Sequence, residues 1–222
     1  MRFTKDKGEI MNYFELINKC LIELNYKQVN AFSELVKNDH KKIKNILQLL
    51  NSEISNYQNW DFKLRKTTVK LPANTTEIEN SINGRIASII IDGHVYKHCE
   101  QPEFFELKIA PLYTYGSFNE KILLPKFDSP KLLNIIYYTK NSAIDENGEE
   151  KLQLENATDK PLIPAEFTEA ILVYGTCLRL KANPQHVKFS YWMGIYNQAL
   201  ANLKSKTSIN ANSSPSVIMH RY

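Results

Sequence analysis

The sequence predicts an α+β protein with a discontinuous four-helix core, an inserted antiparallel β-rich subdomain and an extended C-terminal arm. Three observations predict it. Apolar residues recur at three- and four-residue spacing early in the chain and again from Pro164. Between these segments, from Asp61 on, the period changes to two and turn residues separate the runs. After Lys206 the composition becomes Ser, Asn and Pro without periodicity. The expected parts are an N-terminal arm at 1–10, a helical core from 11–58 and 164–206, a β-rich insertion at 59–163 and a C-terminal arm at 207–222.

The first helix is expected to start near Asn12, which with Glu15 three residues on forms a capping box. Phe14, Ile17, Leu21 and Leu24 supply its apolar stripe, and it stops near Asn25. A loop from Tyr26 to Asn30 leads to the longest helix, expected to open at Phe32, Leu35 and Val36. Its apolar face is read as Ile43, Ile46, Leu47, Leu50, Ile54 and Tyr57. Phe62, Leu64, Thr67, Val69 and Leu71 alternate as a strand that ends at Pro72, and Ala73 to Asn83 reads as a polar loop. Ile86 to Ile91 and His94 to His98 flank Asp92-Gly93, a strong hairpin signal. Gln101 to Leu107 reads as one helical turn, and Tyr113–Phe118 with Glu120–Leu124 as short strands. Leu132–Thr139 is an apolar strand, and Asp145 to Glu150 an exposed acidic turn.

A third long helix is expected from Pro164, a residue favoured at the first helical position, with Phe167, Ile171, Tyr174 and Leu178 on one face. Asn183-Pro184 is expected to cap and open the fourth, striped by Phe189, Trp192, Tyr196, Ala199 and Leu203.

Composition excludes several classes. The 222 residues are 43% hydrophobic and 23% charged, ordinary for a globular chain large enough for one sizeable core. A net charge of +4 is too weak to argue for nucleic-acid binding by itself. No run approaches the roughly 18 apolar residues of a membrane helix, and the first residues lack the apolar stretch of a signal peptide, so use without secretion is expected. Cys20, Cys99 and Cys177 are odd in number and far apart, which reads as reduced, packed thiols.

The chemical motifs are missing. There is no Gly-x-x-x-x-Gly-Lys, Gly-x-Gly-x-x-Gly, Gly-x-Ser-x-Gly or His-Glu-x-x-His. His94 and His98 share a strand face while Cys99 points away, and tetrahedral zinc needs three or four convergent ligands, so no metal site is expected. The pairs Glu103 with Glu106 and Glu166 with Glu169 fall at helical spacing; the second pair suits the start of a helix, where negative charge meets the dipole. No catalytic residue and no cofactor are expected.

The order of Asn12–Tyr26, Trp60-Asp61-Phe62, the Arg85–Tyr96 hairpin, the strand Leu132–Tyr138, Ile163-Pro-Ala-Glu-Phe167 and a last helix beyond Asn183-Pro184 resembles the head-to-tail adaptor (connector) proteins of tailed bacteriophages, especially short-tailed ones. The resemblance covers about residues 11–206. It implies a structural virion protein, made in the bacterial cytoplasm, that forms a twelve-subunit ring under the portal. Its implied partners are other copies of itself, the portal, a tail nozzle or tail-tube protein, and the packaged DNA that it helps retain in the extended channel. The family supplies no catalytic residues to transfer. It implies a portal-binding role for the apolar end of the arm, Val217, Ile218, Met219 and Tyr222. Trp60, Tyr113 and Tyr115 are candidate anchors at subunit or tail interfaces. Lys41, Lys42 and Lys44 are either an ordinary solvated helix face or a wall facing DNA.

Two other classes remain. A nucleic-acid-binding regulator would use that lysine face and show salt-sensitive DNA binding. A hydrolase centred near His94 and His98 would lose activity on replacement of either histidine.

Overall fold

The computed structural model describes residues 10–211. It is mixed α+β and divides into two compact units, one built from the chain up to Phe62 together with the chain from Asn141, the other from Lys63–Lys140.

In the first unit, helix α1 (Tyr13–Glu23) starts at the expected capping box: Asn12 Oδ1 accepts from the Glu15 N–H at 2.9 Å, and Glu15 Oε2 accepts from the Asn12 N–H at 2.8 Å. Two further first-turn donors find backbone partners, Tyr13 N–H at the Asp159 carbonyl (2.7 Å) and Phe14 N–H at the Ala157 carbonyl (3.1 Å). The helix ends with Asn25 at φ 60°. Tyr26 N–H then returns to the Leu21 carbonyl and Asn25 N–H to the Ile22 carbonyl, the pairing of a Schellman motif.

Helix α2 (Asn38–Asn56) starts later than the apolar pattern predicts. Phe32–Glu34 forms only a 3₁₀ turn; Leu35 is buried but Val36 is 67% exposed, so these residues cover the core without continuing the helix. At the far end Tyr57, expected on the apolar face, is exposed.

The third long helix is interrupted. Pro164 is the residue before it, α4 spans Ala165–Thr168, a π-helical stretch runs Glu169–Val173, and α5 continues Tyr174–Leu180. The Thr168 hydroxyl donates to the Ile163 carbonyl at 2.9 Å, which fastens the helix start. Gly175 is buried where an added Cβ would lie 2.6 Å from Leu50 Cδ2 and 2.9 Å from Tyr196 Cε2, so α2, α5 and the last helix approach closely there. That last helix, α6 (Phe189–Ala211), does not begin at Pro184. Asn183 Oδ1 instead accepts from the Gln185 N–H at 3.0 Å, and the Asn183 carbonyl from the His186 N–H at 2.9 Å, a local turn that competes with helix entry. The helix also passes Lys206, where the arm was expected to start, since nothing before Ala211 breaks it.

Residues 141–163, expected in the insertion, pack with the helices. Three short strands, β8 (Ala143–Ile144), β9 (Glu150–Lys151) and β10 (Lys160–Pro161), form a small sheet in the order β10-β8-β9. The reason is burial: Ala143, Leu154 and Ile163 lie in the same apolar cluster as Leu16, Leu47 and Trp192. The acidic turn holds itself, with Asp145 Oδ1 accepting from the N–H groups of Asn147 and Glu149 at 2.9 Å each.

The second unit is a curled seven-stranded sheet: β1 (Leu64–Leu71), β2 (Glu77–Glu79), β3 (Gly84–Ile91), β4 (His94–His98), β5 (Thr114–Phe118), β6 (Lys121–Leu123) and β7 (Lys131–Thr139), in the order β1-β7-β3-β4-β5-β6-β2. The Asp92-Gly93 turn forms as expected, both residues at positive φ (50° and 81°), as a type I′ turn requires. The polar loop Ala73–Asn83 contains the unforeseen β2, because Ile78 alone of Glu77-Ile78-Glu79 turns toward the core and pairs with Ile122. The insertion is not wholly antiparallel: β4 and β5 run parallel. A parallel pair needs a crossover, and residues 99–113 supply it with the short helix α3 (Glu103–Glu106). Phe105 of α3 sits on Gly116, where an added Cβ would lie 2.9 Å from its ring. One sheet face buries Leu71, Ile89, Ile91, Leu133 and Ile135 as this unit's own core.

Candidate functional site

The residues singled out in the sequence do not converge. Trp60 is fully buried in the helical core, stacked on Phe62 (ring centroids 5.7 Å apart, 16° between planes), and its indole N–H donates to the Ile54 carbonyl at 2.6 Å. A side chain without exposed surface cannot anchor another subunit, so the expectation for Trp60 fails. Tyr115 fails for the same reason: it is 2% exposed in the core of the sheet. Burial also pushes its phenol above the usual tyrosine value. Tyr113 is 46% exposed and remains available as a contact. Its backbone sits at φ 55°, and its ring stacks on His94 with centroids 4.7 Å apart.

Lys41 and Lys42 are exposed, while Lys44 is half-buried with its ammonium 4.3 Å from the centre of the Phe32 ring. At about 100° per residue the three spread over roughly 160° of helix circumference, which is no flat wall. Val217, Ile218, Met219 and Tyr222 lie outside the described residues.

The histidine cluster has other uses. His94 stacks on Tyr113, and His98 Nε2 lies 3.0 Å from Ser117 Oγ with its ring edge-on to Tyr115. Cys99 Sγ is directed to the Gln101 carbonyl at 3.6 Å. Among the described residues no group of three or more His, Cys, Asp or Glu side chains is placed to hold a metal. Cys20 and Cys177 are buried free thiols, and burial followed by the neighbouring Cys177 pushes the Cys20 thiol well up, so it is a poor nucleophile. Among the described residues no helix is long and apolar enough to cross a membrane. Glu166 pairs with Lys206 and Glu169 with Lys19, which gives both carboxylates ion-pair partners.

The surface feature that sequence reasoning missed is the crossover between β4 and β5. Leu107 is 64% exposed, Ile109 61% and Leu112 88%, with Tyr113 next to them. Four large apolar side chains within seven consecutive residues of one crossover form the kind of exposed apolar run that marks a contact surface. The sequence shows the apolar residues Leu107, Ile109 and Leu112 but no periodicity that says whether they are buried or exposed. A polar hollow of about 440 Å³ lies at the start of α2, lined by Tyr26, Lys27, Lys37, Asp39 and His40 among others; ammonium and carboxylate groups balance there.

No family model matches this sequence, and no match is found among curated proteins.

Proposed function

We propose that the chain is a structural virion protein, an adaptor subunit that forms a ring under the portal, connects head to tail and extends the DNA channel. In this reading α1, α2, the π-interrupted α4–α5 and α6 act as a four-helix core, Lys63–Lys140 is the β-rich insertion, and the residues after Ala211 form an arm that reaches the portal. Support comes from the resemblance in segment order, and one observation carries it furthest: the exposed apolar crossover at Leu107, Ile109, Leu112 and Tyr113. Such surface is costly for a monomer and useful at a side-to-side interface of a closed ring. No catalytic group is assigned.

Electron microscopy of the purified chain mixed with the portal from the same genome tests the reading. A ring added at the portal's narrow end, with the subunit count visible, is the expected result. A portal that stays bare at high protein concentration across several salt conditions overturns it. The second reading, a nucleic-acid-binding regulator using Lys41, Lys42 and Lys44, has less support, because Lys44 is engaged on Phe32 and the three side chains diverge.

A further inference from the structure

The outer face of the curled sheet is unevenly covered. At the β5 and β6 end, α3 lays Phe105 over Gly116, whose β6 partner is Leu123. At the other end β1, β7, β3 and β4 contact chiefly one another and β5 among the described residues of their own unit. The register fixes what they present. Lys66 lies opposite Ile136, Lys70 opposite Leu132, and Arg85 opposite Tyr138. Lys97 stands two residues from Val95, which lies opposite Ile90. Lys66, Lys70, Arg85 and Lys97 are exposed, and none has an ion pair among the described residues. Arg85 lies 5.8 Å from the Tyr138 ring, which places it over this face. These four strands carry no carboxylate; the nearest are Asp92 in the β3–β4 turn, paired with Lys131, Glu100 just beyond β4, and Glu103 and Glu106 on α3.

We infer that this face docks the phosphate backbone of duplex DNA. Charge carries the argument: four cations without ion pairs and no anion along β1, β7, β3 and β4, on a chain whose excess is only +4 in total, concentrate the excess on these strands. Dimensions agree. Lys66 and Lys70 stand about 14 Å apart along β1, and β1 to β4 spans about 14 Å across the strands, comparable with the roughly 12 Å width of a major groove. Single-stranded nucleic acid fits less well, since a stacking platform needs several open aromatic faces and this surface offers only Tyr138, half-buried and beside Arg85. The inference does not rest on the ring: a chain that never forms one presents the same face.

Fluorescence anisotropy of a short labelled duplex with the full chain, titrated at several salt concentrations, tests it. Four phosphate contacts predict a log–log salt slope of about −3.6, at about 0.9 per contact. The triple variant Lys66→Gln, Lys70→Gln, Lys97→Gln is expected to bind at least about tenfold more weakly at low salt and to lose about 2.7 from the slope. Lys41→Gln with Lys42→Gln is the control and is expected to leave binding unchanged, with circular dichroism and melting checking that every variant folds. Absence of binding at low salt overturns the inference. So does a loss seen in the control but not in the triple variant, or tighter binding of single-stranded than of duplex DNA. A triple variant that changes only self-association in sedimentation velocity makes the face a contact between copies and overturns it too.

Discussion

The side-chain amide of Asn51 on α2 donates to both the carbonyl and the hydroxyl of Ser142, at 3.0 and 3.1 Å, and the Ser142 hydroxyl passes the chain of bonds to the Leu152 carbonyl at 2.7 Å. Asn51 and Ser142 are both fully buried. This bond network fastens residues 141–163 to the helices. Asn51→Ala removes both of these buried hydrogen bonds, while the Ser142 carbonyl keeps the Leu162 N–H at 3.0 Å, and is expected to cost about 1–3 kcal/mol. Urea unfolding checks it; an unchanged midpoint would show that water replaces the amide.

Trp60 makes a graded test possible. Trp60→Phe keeps much of the stack on Phe62 but removes the indole bond to the Ile54 carbonyl, which retains only the longer bond from the Tyr57 N–H at 3.3 Å, an expected loss of about 0.5–1.5 kcal/mol. Trp60→Ala adds a cavity and is expected to cost about 3–5 kcal/mol. Equal losses in the two variants, read from denaturant midpoints, would mean that the ring's bulk contributes nothing.

Gly175 has no room for a side chain. Gly175→Ala gains helix propensity, yet the added methyl meets Leu50 and Tyr196 inside a packed core. Overpacking of this kind costs about 1–3 kcal/mol, so the variant is expected to melt lower than the parent. A higher melting temperature would show that Leu50 and Tyr196 yield freely.

Acid sensitivity follows from Asp159. Burial raises its carboxyl, but the N–H of Asn156, the Lys151 ammonium and the N–H of Glu155 outweigh that and hold it below the usual aspartate value. A lowered folded-state pKa gives stability that is complete above the unfolded-state value and is lost as pH falls through the folded one. The loss therefore lies below about pH 4. Asp159→Asn is expected to flatten the acid limb of a plot of unfolding free energy against pH. An acid limb with unchanged slope would assign the sensitivity to other carboxylates.

Local signals were legible and non-local ones were not. The Asn12–Glu15 box and the Asp92-Gly93 turn are complete within four residues or fewer, and both form as read. The parallel pairing of β4 with β5 depends on a crossover whose helix is only four residues long, too short to leave a periodic trace. β2 depends on its partner β6 for the burial of Ile78. The π-helical stretch shifts which residues face inward, something spacing alone does not encode. Trp60 shows the same limit in the candidate site. An aromatic in a polar junction reads as spare surface until its indole finds the Ile54 carbonyl.

Insertion of the sheet unit between α2 and α4 sets an order of events during synthesis. The ends of that unit are strand neighbours, with Leu64 paired to Tyr138, so the sheet can close as soon as β7 has emerged. Helices α1 and α2 cannot bury Leu16, Ile17, Leu47 and Leu50 until α4, α5 and α6 follow. At about 5–20 residues per second that wait lasts several seconds. For that interval a finished β unit hangs from two helices with open apolar faces, the period in which the nascent chain most needs a chaperone.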